Sequence, residues 1–222
     1  MDCKTSEQKI NSKYMDASLI EAESFRIISE ILNEEGVLLP SENEAVIKRC
    51  IHTTADFDYA KTLMFSENAV SVLMDLIRKG ADVVTDTNMA LTGINKKEFF
   101  QYGGEIHCFM ADEEVAKEAK ERHLTRAYVS MERAMRIAKP VIYVVGNAPT
   151  ALISLMAQYD QSGYTPAFII GVPVGFVNVV AAKELVINSD LNYIVNRGRK
   201  GGSNVAAAIM NAVLYRLREP DQ

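Results

Sequence analysis

The stretch VIYVVGNAPTAL, residues 141–152, sends five apolar, mostly β-branched residues into a glycine. An asparagine and a proline follow, and both suit the start of a helix. The pattern recurs twice: residues 168–170 lead into GVPVGF, and residues 193–195 lead into NRGRKGGSN. The first and third turns pass straight into helix-forming sequence. The spacing therefore predicts three strands of one parallel α/β sheet, with crossover helices covering both faces. In such a sheet the loops at the carboxyl ends of the strands line a common crevice, where ligands bind. Glycines let backbone N–H groups come close to a ligand, and a helix N-terminus behind the loop favours an anion. Arg197, Arg199 and Lys200 add cations to the third loop.

Outward from these loops the alternation continues. DVVTD at 82–86 and residues 106–110 are predicted strands. Helices are predicted over about 113–121, 125–138, 180–187 and 203–217, and from Asn147 and Pro149 to about 161. Upstream, Ile20, Phe25, Ile27, Ile28, Ile31 and Leu32 form a helical stripe that ends near Gly36. Ser41-x-x-Glu44 predicts a capping box for a second helix, and residues 66–80 a third helix from Ser66 to Gly80. Residues 1–16 are expected to be a loose arm. No repeat or linker divides the chain, so residues 1–222 are expected to form a single domain.

Composition narrows the function. A net charge of −5 argues against general binding to nucleic acid or membrane surfaces, so basic groups that serve an anion must be local. Three scattered cysteines without a C-x-x-C argue against a disulfide framework or a zinc site. The N-terminus has no apolar signal-peptide core. The most apolar stretch, 167–182, is interrupted by Gly171, Pro173, Gly175 and Asn178, and falls short of the roughly 20 residues a membrane helix needs. A cytoplasmic protein is expected.

Three histidines are candidates for proton chemistry. His107 lies inside a predicted strand and reads as structural; His123 lies between helices and reads as surface. His52 ends the second helix in KRCIHTTADFDYA, with Arg49 three residues earlier and therefore on the same face. A cation beside a titratable imidazole suits anion binding and proton transfer. A helix-capping histidine has the same local pattern. Asp56 and Asp58 read as a solvated loop rather than metal ligands. RGRKGGSN is an anion cradle or, failing that, a tight turn with solvated charges; it is neither a Walker A loop nor a dinucleotide fingerprint. Arg126 has no local signature.

Taken together, IEAESFRII, IKRCIHTTADFD, DTNMALTGI, GNAPTAL, GVPVGFVNVVAAKELVI and RGRKGGSNVAAAIMNAVL resemble, in order and spacing, the precorrin-8X methylmutase family. The resemblance runs from about Ile20 to Leu217. It implies a flavodoxin-like doubly wound fold with a mainly parallel sheet and helices on both faces, and a homodimer. It also implies an isomerase of cobalamin biosynthesis that moves a methyl group from C-11 to C-12 of precorrin-8. The product is hydrogenobyrinate, or cobyrinate where cobalt is already inserted, and no organic cofactor is implied. His52 matches the family's proton donor and acceptor. Ser24, Arg49 and Arg126 match its substrate contacts.

The same substrate carries many carboxylates around a flat apolar ring. Arg199, Lys200, Gly201, Gly202 and Ser203 are therefore expected at the carboxylates, with Gly175 in the adjoining loop. Val172, Pro173, Val174 and Phe176 are expected at the ring faces. Ala181-Ala182 stand where the family often carries Glu-Ser, which leaves Lys183 as the polar residue there. A carrier without catalysis, or an unrelated phosphate-binding α/β protein, are the competing functions.

Overall fold

The computed structural model of the chain describes residues 17–218. The expected arm at 1–16 lies outside them. The described residues divide into two compact units, with the boundary between Leu38 and Leu39. In the first, α1 (Ala17–Glu34) ends as its sequence predicts. Gly36 takes φ +69, and Val37 N–H closes onto Leu32 O at 2.8 Å. Of the predicted stripe, Ile28 and Leu32 are buried, whereas Ile20 and Ile27 are exposed.

The second unit opens with α2 (Glu44–Thr54). The predicted capping box does not form. Asn43 occupies the cap without a side-chain bond, and Glu44 pairs with Lys48 one turn on. The remaining elements are α3 (Tyr59–Thr62), β1 (Leu63–Phe65), α4 (Ala69–Arg78), β2 (Asp82–Thr85), α5 (Asn88–Gly93), α6 (Lys96–Phe99), β3 (Ile106–His107), α7 (Glu113–Glu121), α8 (Arg126–Ala134), β4 (Val141–Val145), α9 (Pro149–Ser162), β5 (Phe168–Gly171), α10 (Val179–Ile187), β6 (Tyr193–Asn196) and α11 (Ser203–Arg218).

The strand order is β1-β6-β5-β4-β2-β3. The three strands that decide the fold, β4, β5 and β6, are neighbours and parallel, with Val145 opposite Gly171 and Gly171 opposite Val195. β2 and β3 extend the parallel set on the other side of β4. The five parallel strands thus stand in the order second, first, third, fourth, fifth, which is flavodoxin-like and doubly wound. Antiparallel β1 adds an edge beyond β6. The predicted strand at 106–110 pairs only over Ile106–His107, and α8 stops at Ala134, short of 138. All five β4 residues are buried, as a strand covered by helices on both faces requires. Buried Tyr143 meets its polar need through Tyr164, with the two hydroxyls 2.6 Å apart.

A candidate site at the carboxyl edge of the sheet

The loops that follow β2, β4, β5 and β6 meet at one edge because their glycines admit close backbone contact. A Cβ on Gly201 would stand 2.0 Å from Val172 O, and one on Gly146 would stand 2.6 Å from Ser203 Cα. Gly202 N–H donates to Val172 O at 2.9 Å, and Gly175 N–H donates to Arg199 O at 3.2 Å. Ser203 Oγ lies 2.8 Å from Thr87 Oγ1, which joins the start of α11 to the loop after β2.

The loop after β4 is not an anion cradle. Its N–H groups already have an anion: the carboxylate of buried Asp86 accepts from Gly146 (2.9 Å), Asn147 (2.8 Å) and Ala148 (2.6 Å). Burial raises the Asp86 carboxyl above its usual range, and these backbone donors act against that. Asn147 is therefore not the helix cap its sequence predicts. Ala148 is, with Pro149 in the first turn of α9.

The loop after β6 is built the other way. Lys183 of α10 is fully buried, and its Nζ donates to Gly198 O and Lys200 O, each at 2.8 Å. Asn196 Nδ2 adds a second donor to Lys200 O at 2.8 Å, and its Oδ1 accepts from Thr62 Oγ1 at 2.6 Å. Burial lowers Lys183 to about 8. Arg197 is spent on Glu184, with Nε 2.9 Å from Oε1. Arg199 is exposed and has no side-chain partner among the described residues.

His52 and Arg49 lie on the last turns of α2. Its end is fixed by Ala55 in the left-handed region, φ 54, with Ala55 N–H on Ile51 O. His52 is exposed; Arg49 is half-buried, with its guanidinium 5.2 Å from the ring centre of Tyr215 in α11. Cys50 between them is buried and pushed up to about 12, so it is no nucleophile. Asp56 and Asp58, expected as a solvated loop, instead hold Lys200, whose Nζ is 2.6 Å from each carboxylate. Lys200 lowers the Asp56 carboxyl and is itself raised by the pair. This ion triad brings the segment after His52 against the glycine loops.

Arg126 opens α8, exposed and without a side-chain partner among the described residues. Its neighbour Thr125 caps the helix and donates to Thr150 Oγ1 at 2.7 Å, which ties this terminus to that of α9 at the same edge. Ser24 belongs to the first unit, where its hydroxyl donates to Ile20 O at 2.8 Å. Of the apolar residues expected at a ring face, Val172 and Pro173 are buried, whereas Val174 and Phe176 are 46% and 85% exposed. His107 is packed on Phe109 with near-parallel rings, as a structural histidine is.

Sequence reasoning did not assign Asp86, Thr87 or the inward direction of Lys183. Asp86 stands in a recognised segment, DTNMALTGI, yet its partners are 60 residues or more away. Two surface clefts lie toward the other ends of α8, α9 and α10. The arginines Arg122 and Arg133 of the first are already paired with glutamates. Among the described residues no group of three His, Cys, Asp or Glu side chains is placed to hold a metal ion. Nor is any helix there long and apolar enough to cross a membrane.

Residues 19–216 match the family model for precorrin-8X methylmutase. The cobalt-precorrin-8 methylmutase of Salmonella typhimurium is 44% identical over 204 residues, covering 90% of this chain and 95% of the relative. The precorrin-8X methylmutase of Pseudomonas aeruginosa is 32% identical over 200 residues, covering 89% and 95%. The crystal structure of precorrin-8X methylmutase from Thermus thermophilus superposes with a TM-score of 0.78 at 35% identity, covering 89% of this chain and 96% of that one.

Proposed function

The chain belongs to the precorrin-8X methylmutase family, and from that premise we propose that it is an isomerase of cobalamin biosynthesis. It moves the methyl group of precorrin-8, or of cobalt-precorrin-8, from C-11 to C-12, giving hydrogenobyrinate or cobyrinate. Substrate and product have the same atoms and oxidation level, so the step calls for a proton and no organic cofactor. His52 supplies and retrieves that proton. Protonating the conjugated ring makes it electron-poor and lets the methyl group migrate.

The observation that carries the proposal is the Lys200 triad. It joins the His52 segment to the glycine loops, so that a proton donor and an anion-binding rim can serve one ligand. Arg49, Arg126 and Arg199 meet substrate carboxylates, and Lys200, held between Asp56 and Asp58, fixes the loop beside them. Gly201 presents its backbone N–H there, while Gly175, Gly202 and Ser203 hold the rim together through Arg199 O, Val172 O and Thr87. Exposed Val174 and Phe176 offer apolar surface to the ring. The 222 residues act as one domain of a cytoplasmic homodimer. Sedimentation at micromolar concentration checks the dimer, and a monomer there ends that part of the proposal.

The deciding experiment mixes purified protein with precorrin-8, then with its cobalt form, and follows the absorption spectrum. Conversion by the wild type and a loss of about 100-fold or more in kcat for His52→Ala is the expected result. The faster of the two substrates identifies the natural one. Binding without conversion by the wild type would make the protein a carrier.

A further inference from the structure

We infer that Lys183 is a positioning residue for this site: its buried ammonium pulls the carbonyls of Gly198 and Lys200 inward and so turns the N–H groups of Arg199 and Gly201 toward a substrate carboxylate. The inference rests on the isomerase reading above.

In a trans peptide unit the C=O and N–H point in opposite directions. Gly198 O and Lys200 O both accept from Lys183 Nζ at 2.8 Å. The N–H groups of those same two units are those of Arg199 and Gly201, and they face away from the ammonium. Among the described residues neither has an acceptor, whereas Arg197 N–H and Gly202 N–H are taken by Thr62 O at 2.8 Å and Val172 O at 2.9 Å. The exposed Arg199 guanidinium extends from the same turn, so backbone and side chain can grip one carboxylate together.

Space-filling does not account for Lys183. A helix lysine ordinarily runs its stem along the surface and leaves its ammonium in water. Here the side chain is fully buried and has no carboxylate partner among the described residues, since adjacent Glu184 pairs with Arg197. A methionine would fill the same space without the cost of burying a charge. What methionine cannot do is hold two carbonyls.

The test uses the full-length protein with precorrin-8. In the free wild type the Arg199 and Gly201 amides exchange with solvent freely, and substrate slows both by about tenfold or more. Lys183→Met raises KM about tenfold and leaves kcat within about twofold. Lys183→Gln, whose amide still donates, recovers part of that loss. Unchanged KM in Lys183→Met overturns the inference, and so do wild-type amides that substrate does not protect. If Lys183→Met does not fold, the wild-type exchange result decides alone. A wild type that neither binds nor converts precorrin-8 removes the isomerase proposal and this inference with it. A working wild type with either overturning result removes only the role of Lys183.

Discussion

The loops after β4 and β6 lie side by side, with Gly146 packed against Gly202 and Ser203, yet they are anchored with opposite polarity. Asp86 draws three N–H groups of the first loop inward; Lys183 draws two carbonyls of the second inward. A loop whose donors are consumed cannot bind an anion with its backbone, whereas one whose acceptors are consumed keeps its donors. Two glycine loops that look alike in sequence therefore take different parts: the first is scaffold, and the second is the proposed rim of the site. A glycine loop before a helix is permissive for anion binding, and the buried charge behind it decides whether the binding occurs.

The contrast can be broken most severely at Asp86. Asp86→Ala leaves three N–H groups without their acceptor and should cost about 3 kcal/mol or more, measured by urea unfolding. Next is Gly201→Ala. Its Cβ would meet Val172 O at 2.0 Å, a backbone atom that cannot swing aside, so the rim must move. A fall of about tenfold or more in kcat/KM is expected. Gly163→Ala is a control, since nothing lies within 4 Å of the new methyl and only left-handed strain is added, about 1 kcal/mol.

A pH series sharpens the comparison. Lys183 is lowered to about 8 from its ordinary 10.5, so between those values the unfolded chain holds a proton that the folded one has released. Stability from this group therefore rises as pH increases through that window. The unfolding free energy of the wild type relative to Lys183→Met should grow between pH 8 and 10, and a flat difference would show that the ammonium is not desolvated. The smallest effect is expected at Lys200→Ala. Solvent screens this exposed triad, so Tm should move only slightly in a thermal scan.

Much of the fold was legible because its signals are local. Apolar β-branched runs ending in glycine marked β4, β5 and β6, and the helices between them implied parallel crossovers. β1 was not legible, since three residues carry no periodicity and only pairing with β6 makes them a strand. The capping box was legible but false: Glu44 found Lys48 on its own helix instead. At the site, the proximity of His52 and Arg49 followed from helical spacing. That Lys200 would meet Asp56 and Asp58, more than 140 residues earlier, had no local sign.

By itself, then, the sequence determined which segments are strands and helices, where glycine permits close approach, and which residue types stand near His52. Those properties depend on neighbours along the chain. Tertiary structure alone decided where each charge points. It sent Lys183 inward, placed Asp86 on the N–H groups of the loop after β4, and spent Arg197 and Lys200 on carboxylates while leaving Arg199 exposed. The physical reason is that a buried charge persists only where complementary groups surround it, and here distant segments supply those groups once the sheet has formed.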